Sequence, residues 1–166
     1  MVQPTPHPSP NYGTNRLTTD FVIIHGTWME NDADALARLC DPATEVSCHY
    51  YIDYAGNLLQ LVDEAHVAWH AGVSRWGQLE KLNLHSIGIE IANPGIGKNT
   101  PYTEAQYETL LALLADVCER HKISPQHVLG HEDIAPNRKD DPGPHFNWQR
   151  LRAAGLVSGV RAPYSK

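Results

Sequence analysis

Long apolar runs are missing from this chain. No stretch approaches the roughly 18 consecutive apolar residues of a membrane-spanning helix, and the first residues lack the apolar segment of a signal peptide. The chain as written is therefore expected to have no membrane span and to be cytoplasmic, or periplasmic or secreted where a leader has been removed. Basic charge is scarce too: 13 Lys and Arg stand against 19 Asp and Glu, a formal net charge of −6. That leaves no electrostatic footprint for nucleic acid and no cationic face for a membrane surface. Cysteine is sparse and odd in number. Cys40, Cys48 and Cys118 make no disulfide framework, so free thiols are expected, with a Cys40 to Cys48 bridge the one pairing left open. Internal repeats and a second composition boundary are also lacking, and the 166 residues are expected to form one core and to act as a monomer.

What is present is an ordinary folded composition, 42% hydrophobic and 19% charged, which confines disorder to the ends. Residues 1–18 hold four of the twelve prolines and read as an extended arm, followed by a domain over 19–166. Phe21 to His25 is an unbroken β-branched and aromatic run, fit for a central strand buried on both faces, with His25 emerging at its end before Gly26. A short helix is predicted from Asn31 or Asp32 to Leu39, stopped by Asp41-Pro42. Ser47–Tyr54 and Asn57–Val62 flank Ala55-Gly56 as a hairpin. Val67 to Gly77 is aromatic and aperiodic, a loop lining a cleft. Ser86 to Ala92 alternates: the isoleucines face one way, while Gly88, Glu90 and Ala92 face the other, leaving open space above the Glu90 carboxylate. Thr103 to His121 is a helix opened by a capping box between Thr103 and Gln106, with Tyr107, Leu110, Leu111, Leu114, Val117 and Cys118 as its apolar stripe. Trp148 to Ala154 is a further short helix, and a loose tail is expected beyond Ser158.

The most informative stretch is His131 to Gly143. Its thirteen residues carry one imidazole, four carboxylates, two cations and two prolines, so it reads as neither a regular helix nor a central strand but as a stiff loop. Asp141 precedes Pro142, which favours extended geometry. A nitrogen ligand and an oxygen ligand at the two ends of one loop suit zinc, which in catalytic sites takes three protein ligands and keeps a position for water. Most of the ten histidines are discounted as that third ligand. His66/His70 and His127/His131 have the spacing of a helical zinc-protease motif but lack its glutamate and a helical pattern. His7, His85, His121 and His145 read as surface or capping residues, and His49 as a satisfied interior one. His25, at the end of a buried strand, requires a partner. With His131 and Asp141 it completes a set of two nitrogens and one oxygen.

The segments Val22-Ile23-Ile24-His25, Ala68-Trp69-His70-Ala71-Gly72, Ser86-Ile87-Gly88-Ile89-Glu90 and His131 to Gly143 resemble the signature blocks of the zinc-dependent N-acetylmuramoyl-L-alanine amidases. That family includes bacterial AmpD-type amidases, phage lysozyme-type amidases and animal peptidoglycan recognition proteins, and the likeness spans roughly residues 19–150. It implies a single α/β domain, a central mixed β-sheet flanked by helices with zinc at one sheet edge. It further implies hydrolysis of the amide between N-acetylmuramic acid, or its anhydro form, and L-alanine in peptidoglycan or anhydromuropeptides. His25, His131 and Asp141 would be the zinc ligands, Glu90 the carboxylate that moves protons, and Lys139 the cation beside the substrate carbonyl. Trp69, His70 and Asn83 would line the muropeptide cleft, and Lys81 would match a basic residue that meets diaminopimelate. Two positions depart from the pattern: Asn137 replaces a common glycine, which a left-handed Asn would accommodate, and Cys48 stands where phage members use a tyrosine, leaving Glu90 as the main base. Two alternatives share the resemblance, a non-catalytic peptidoglycan-binding module and a zinc peptidase acting on the stem peptide.

Overall fold

The computed structural model describes residues 3–16 and 18–158, so the tail expected beyond Ser158 lies outside the described residues. Its strands are β1 (Thr5–Pro6), β2 (Tyr12–Gly13), β3 (Phe21–Gly26), β4 (Tyr50–Ile52), β5 (Leu58–Gln60), β6 (Val67–Ala68), β7 (Arg75–Trp76), β8 (Leu79–Glu80), β9 (Ser86–Ile91) and β10 (Val128–Gly130). Its helices are α1 (Asp32–Cys40), α2 (Glu104–His121), α3 (His131–Ile134) and α4 (Trp148–Ala153). Six strands form one mixed sheet in the order β1-β5-β4-β9-β3-β10. The β4–β5 hairpin is antiparallel, whereas β4, β9, β3 and β10 run parallel, and β1 is parallel to β5. Among the described residues no helix is long and apolar enough to cross a membrane.

Every residue of β3 is buried, which accounts for a run without polar alternation: both faces of this strand are covered. On one face Val22 and Ile24 join Ile87, Ile89 and Ile91 of β9 against α2, whose Leu110, Leu114 and Val117 are fully buried. The capping box of α2 is formed, with Thr103 accepting from Gln106 N and Gln106 Oε1 accepting from Thr103 N. The stripe differs at its margins: Leu113 is buried, while Leu111 and Cys118 are only partly so. Asn31 caps α1 through Asp34 N. On the opposite sheet face Phe21, Ile23 and Leu129 pack against Ala71, Leu82 and Ile134, and this face continues into the site.

The arm is extended, as its prolines dictate, and it is docked. It supplies the edge strand β1, continues beside β5 through His7 N to Gln60 O and Ser9 N to Leu61 O, and pairs β2 with β6. Arg16 clasps the sheet by donating to Ser86 O at 2.9 Å and to His66 O, and it meets His49 Nε2 at 2.6 Å. His49 is thereby the satisfied interior histidine expected, with its Nδ1 accepting from Gly88 N. His85, expected as a surface or capping residue, is buried; it caps the turn Leu82–Leu84, its backbone N–H donating to Leu82 O, and its ring pairs with Thr18 Oγ1. All three cysteines are free, so Cys40 and Cys48 do not pair.

Candidate metal centre and active-site cleft

Strand register builds the site. His25 lies opposite Glu90 across β3 and β9, and Gly130 opposite Ile24 across β10 and β3, which brings the next residue, His131, to the level of His25. Three neighbouring strands therefore present Glu90, His25 and His131 side by side at their carboxyl ends. The site sits at those strand ends, close to the β10 edge but not along it, because β3 is flanked on both sides. The loop expected over His131–Gly143 opens with one helical turn, α3, capped by Asp133 Oδ2 accepting from Gly130 N at 2.7 Å. The loop then returns so that Glu132 N donates to Asp141 O at 2.9 Å, with Tyr102 Oη donating to Pro142 O. Asp141 is thus carried back onto the histidines. Asn137 is not among the residues with left-handed backbone, so the allowance for its glycine-like conformation is not used.

The three ligand atoms converge. His25 Nδ1 is 2.9 Å from His131 Nδ1 and 3.2 Å from Asp141 Oδ2, and His131 Nδ1 is 3.3 Å from that oxygen. All three residues are buried, and together they form a group that can hold a metal ion. Burial, with the charge of His131, pushes the His25 imidazole down to about 4 despite Asp141 beside it, so it is neutral and ligand-competent at neutral pH. Burial would raise the Asp141 carboxyl, but the two imidazoles that face it, His131 and then His25, hold it well below the usual range.

The outer nitrogens of both rings have partners of fixed direction. His131 Nε2 donates to Ala71 O at 3.1 Å, freeing Nδ1. A longer chain orients His25. The Ser86 hydroxyl donates to Leu82 O at 2.5 Å and so accepts from His70 Nε2 at 3.2 Å; His70 Nδ1 then accepts from His25 Nε2 at 2.9 Å. His25 Nδ1 is left with its lone pair facing Asp141 and His131, the arrangement a metal-ligating histidine needs. The space above β9 is therefore not wholly open: His70 fills it over Gly88, where a Cβ would overlap the ring.

A cleft of about 320 Å³ opens over this group, lined by Glu90, Lys139, Trp69 and His70 together with Trp28, Arg38 and Arg138. Glu90 Oε2 is buried with no hydrogen-bond partner among the described residues. Burial, then the charge of Asp141, pushes the Glu90 carboxyl up to about 8, with Lys139 opposing. Cys48 is fully buried, and its thiol is pushed up by burial and by Glu90. Asn83 and Lys81 do not line the cleft. The Asn83 Oδ1 accepts from the N–H groups of His70 and Ala71 and so holds their loop. Lys81 is exposed on a left-handed turn, φ 57°. Trp28 and Arg38 carry no motif that would mark them in the sequence, and the block that contains Ser86 does not single out its hydroxyl.

Comparison with known proteins identifies the family. The family profile described as N-acetylmuramoyl-L-alanine amidase matches residues 15–144. The chain is similar to N-acetylmuramoyl-L-alanine amidase AmiD of Escherichia coli K12, 42% identical over 148 residues that cover 81% of this chain and 52% of that protein. It is also similar to 1,6-anhydro-N-acetylmuramyl-L-alanine amidase AmpD of Enterobacter cloacae, 45% identical over 59% of this chain and 51% of that protein. It thus spans about half the length of these two curated relatives. Among solved structures, E. coli AmiD in complex with the substrate anhydro-N-acetylmuramic acid-L-Ala-D-gamma-Glu-L-Lys superposes with a TM-score of 0.80 at 38% identity, covering 86% of this chain and 60% of that one.

Proposed function

This chain belongs to the N-acetylmuramoyl-L-alanine amidase family, and from that premise we propose that it hydrolyses the amide joining the lactyl group of a muramoyl sugar to L-alanine, with zinc held by His25, His131 and Asp141. The observation that carries the reading is the triangle of ligand atoms at 2.9, 3.2 and 3.3 Å. Tetrahedral zinc with bonds of about 2.0–2.1 Å needs ligand atoms about 3.3 Å apart, and two imidazoles with a carboxylate are the donors of hydrolytic sites. The unpartnered Glu90 oxygen beside it fits the same purpose.

Zinc, when bound, supplies a Lewis acid and lowers the pKa of water to about 7. The other work falls to the chain. Glu90, whose buried Oε2 has no hydrogen-bond partner among the described residues, takes a proton from the attacking water and passes it to the departing L-alanine nitrogen. Lys139 faces the same cleft and donates to the carbonyl oxygen as negative charge develops on it. His70 and Ser86 hold His25 in register, so His70 acts through the ligand as well as lining the cleft. Arg38 is a cleft cation suited to a stem-peptide carboxylate, a place that exposed Lys81 does not share. The substrate class follows that of the AmiD complex, an anhydromuramoyl peptide. Intact ligands favour an enzyme over a binding module.

Mass spectrometry of a digested muramoyl peptide tests this. The expected products are a peptide with a free L-alanine amino group and a muramoyl sugar with every glycosidic bond intact. A muramoyl product still carrying L-alanine would mean that the stem peptide is cut instead.

A further inference from the structure

Trp28 lies just beyond β3 with a left-handed backbone, φ 52°, which a bulky residue rarely adopts. The residue before it is tied in place: Thr27 Oγ1 donates to Asn93 O at 3.2 Å and accepts from Asn93 N at 3.1 Å and Met29 N at 3.4 Å. The indole rests on three glycines. A Cβ on Gly95 would stand 2.9 Å from the indole Cγ, one on Gly26 would stand 3.3 Å from Nε1, and one on Gly143 would stand 3.7 Å from Cζ2. The same position on Gly143 lies 3.7 Å from Ile96 Cγ1, so Trp28 and Ile96 form one apolar shelf, 36% and 47% exposed. A strained, well-seated tryptophan left open at the mouth of a cleft is a feature to explain by function.

We propose that this shelf binds the apolar face of the muramoyl sugar, so that the glycan side of the substrate leaves the cleft over Trp28. The inference rests on the amidase reading above. The charges nearest the shelf in sequence, Glu30 and Lys98, neutralise each other through a 2.6 Å ion pair. The cations that line the cleft, Arg38, Arg138 and Lys139, suit the anionic stem peptide instead. An uncharged ring with a C–H face is what an indole face covers best.

The test measures binding to zinc-loaded protein carrying Glu90→Gln to prevent turnover. The probes are N-acetylmuramoyl-L-Ala-D-isoGlu and D-lactoyl-L-Ala-D-isoGlu, which keeps the amide and lacks only the sugar. Trp28→Gly removes the indole and suits the left-handed backbone; Trp28→Tyr keeps an aromatic face. Trp28→Gly should weaken the muramoyl probe about tenfold and Trp28→Tyr about threefold or less, with lactoyl-peptide binding unchanged in both. Equal weakening of both probes, or no weakening of either, overturns the shelf while leaving the amidase reading intact. Parent protein that cuts no muramoyl amide and binds neither probe overturns both.

Discussion

His70 packs against Gly88 so closely that a Cβ on residue 88 would lie 2.7 Å from the ring's Nδ1, the atom that accepts from His25. Gly88→Ala should therefore push His70 out of line and leave the outer nitrogen of His25 without its partner. Zinc affinity should fall about 10- to 100-fold, the usual cost of losing the group that orients a ligating histidine. Chelator competition measures this, with a thermal melt of the metal-free variant to separate the expected loss of about 1–3 kcal/mol in packing. Unchanged zinc affinity would mean that His25 keeps its orientation without His70.

Chelation should abolish hydrolysis, and added zinc should restore it, while the fold persists, because the apolar clusters on both sheet faces do not need the metal. His131→Ala should lose metal and activity together. Circular dichroism of the chelated protein, beside metal analysis and turnover, checks all three. Full turnover without metal would remove zinc from the mechanism.

Glu90 is not a member of the group of ligand atoms, so Glu90→Gln should keep stoichiometric zinc while kcat drops about 100-fold or more. Lys139→Ala should also spare the metal and lower kcat by about 10²–10³, the scale of losing one donor to a developing oxyanion. Metal content measured beside kcat separates these roles from ligation.

Away from the cleft, Glu64 accepts from Tyr50 Oη at 2.7 Å and from Arg120 at 2.6 and 2.9 Å, and meets His121 at 2.7 Å. Burial would raise its carboxyl, but these bonds hold it down at about 2, against an ordinary 4.5. A depressed folded value means that the stability it contributes is complete above 4.5 and is lost as pH falls towards 2. Glu64→Gln should cost about 1–3 kcal/mol near neutrality, leaving Arg120 under-satisfied, and should flatten the acid limb of Tm against pH. An unaltered acid limb would exclude Glu64 as its source.

The candidate metal triad is legible in the sequence because each member stands where backbone fixes a side chain: His25 at the end of an unbroken apolar strand, His131 and Asp141 at the two ends of a proline-stiffened loop. Glu90 is legible through the alternation of β9. What stays hidden depends on contacts across register. Ser86 looks like any strand-opening serine until Leu82 and His70 are found on either side of its hydroxyl. The two-residue strands of the arm are too short for a period, and α3 is a single turn within a segment whose prolines argue against helix. The basic residue at 81 is easy to find, but a left-handed turn leaves it exposed and outside the cleft.

His25 waits a long way along the chain for its companions: His131 is 106 residues further on, and Asp141 is 116. During synthesis an amino-terminal portion can collapse around the β4–β5 hairpin and α1, but the triad stays incomplete until residue 141 has left the ribosome and β10 has docked beside β3. The candidate metal group therefore forms only once residues 128–141 have been made. A translation product that ends before residue 131 carries at most one of the three ligand residues, and one that ends between 131 and 140 carries two, so neither completes the group.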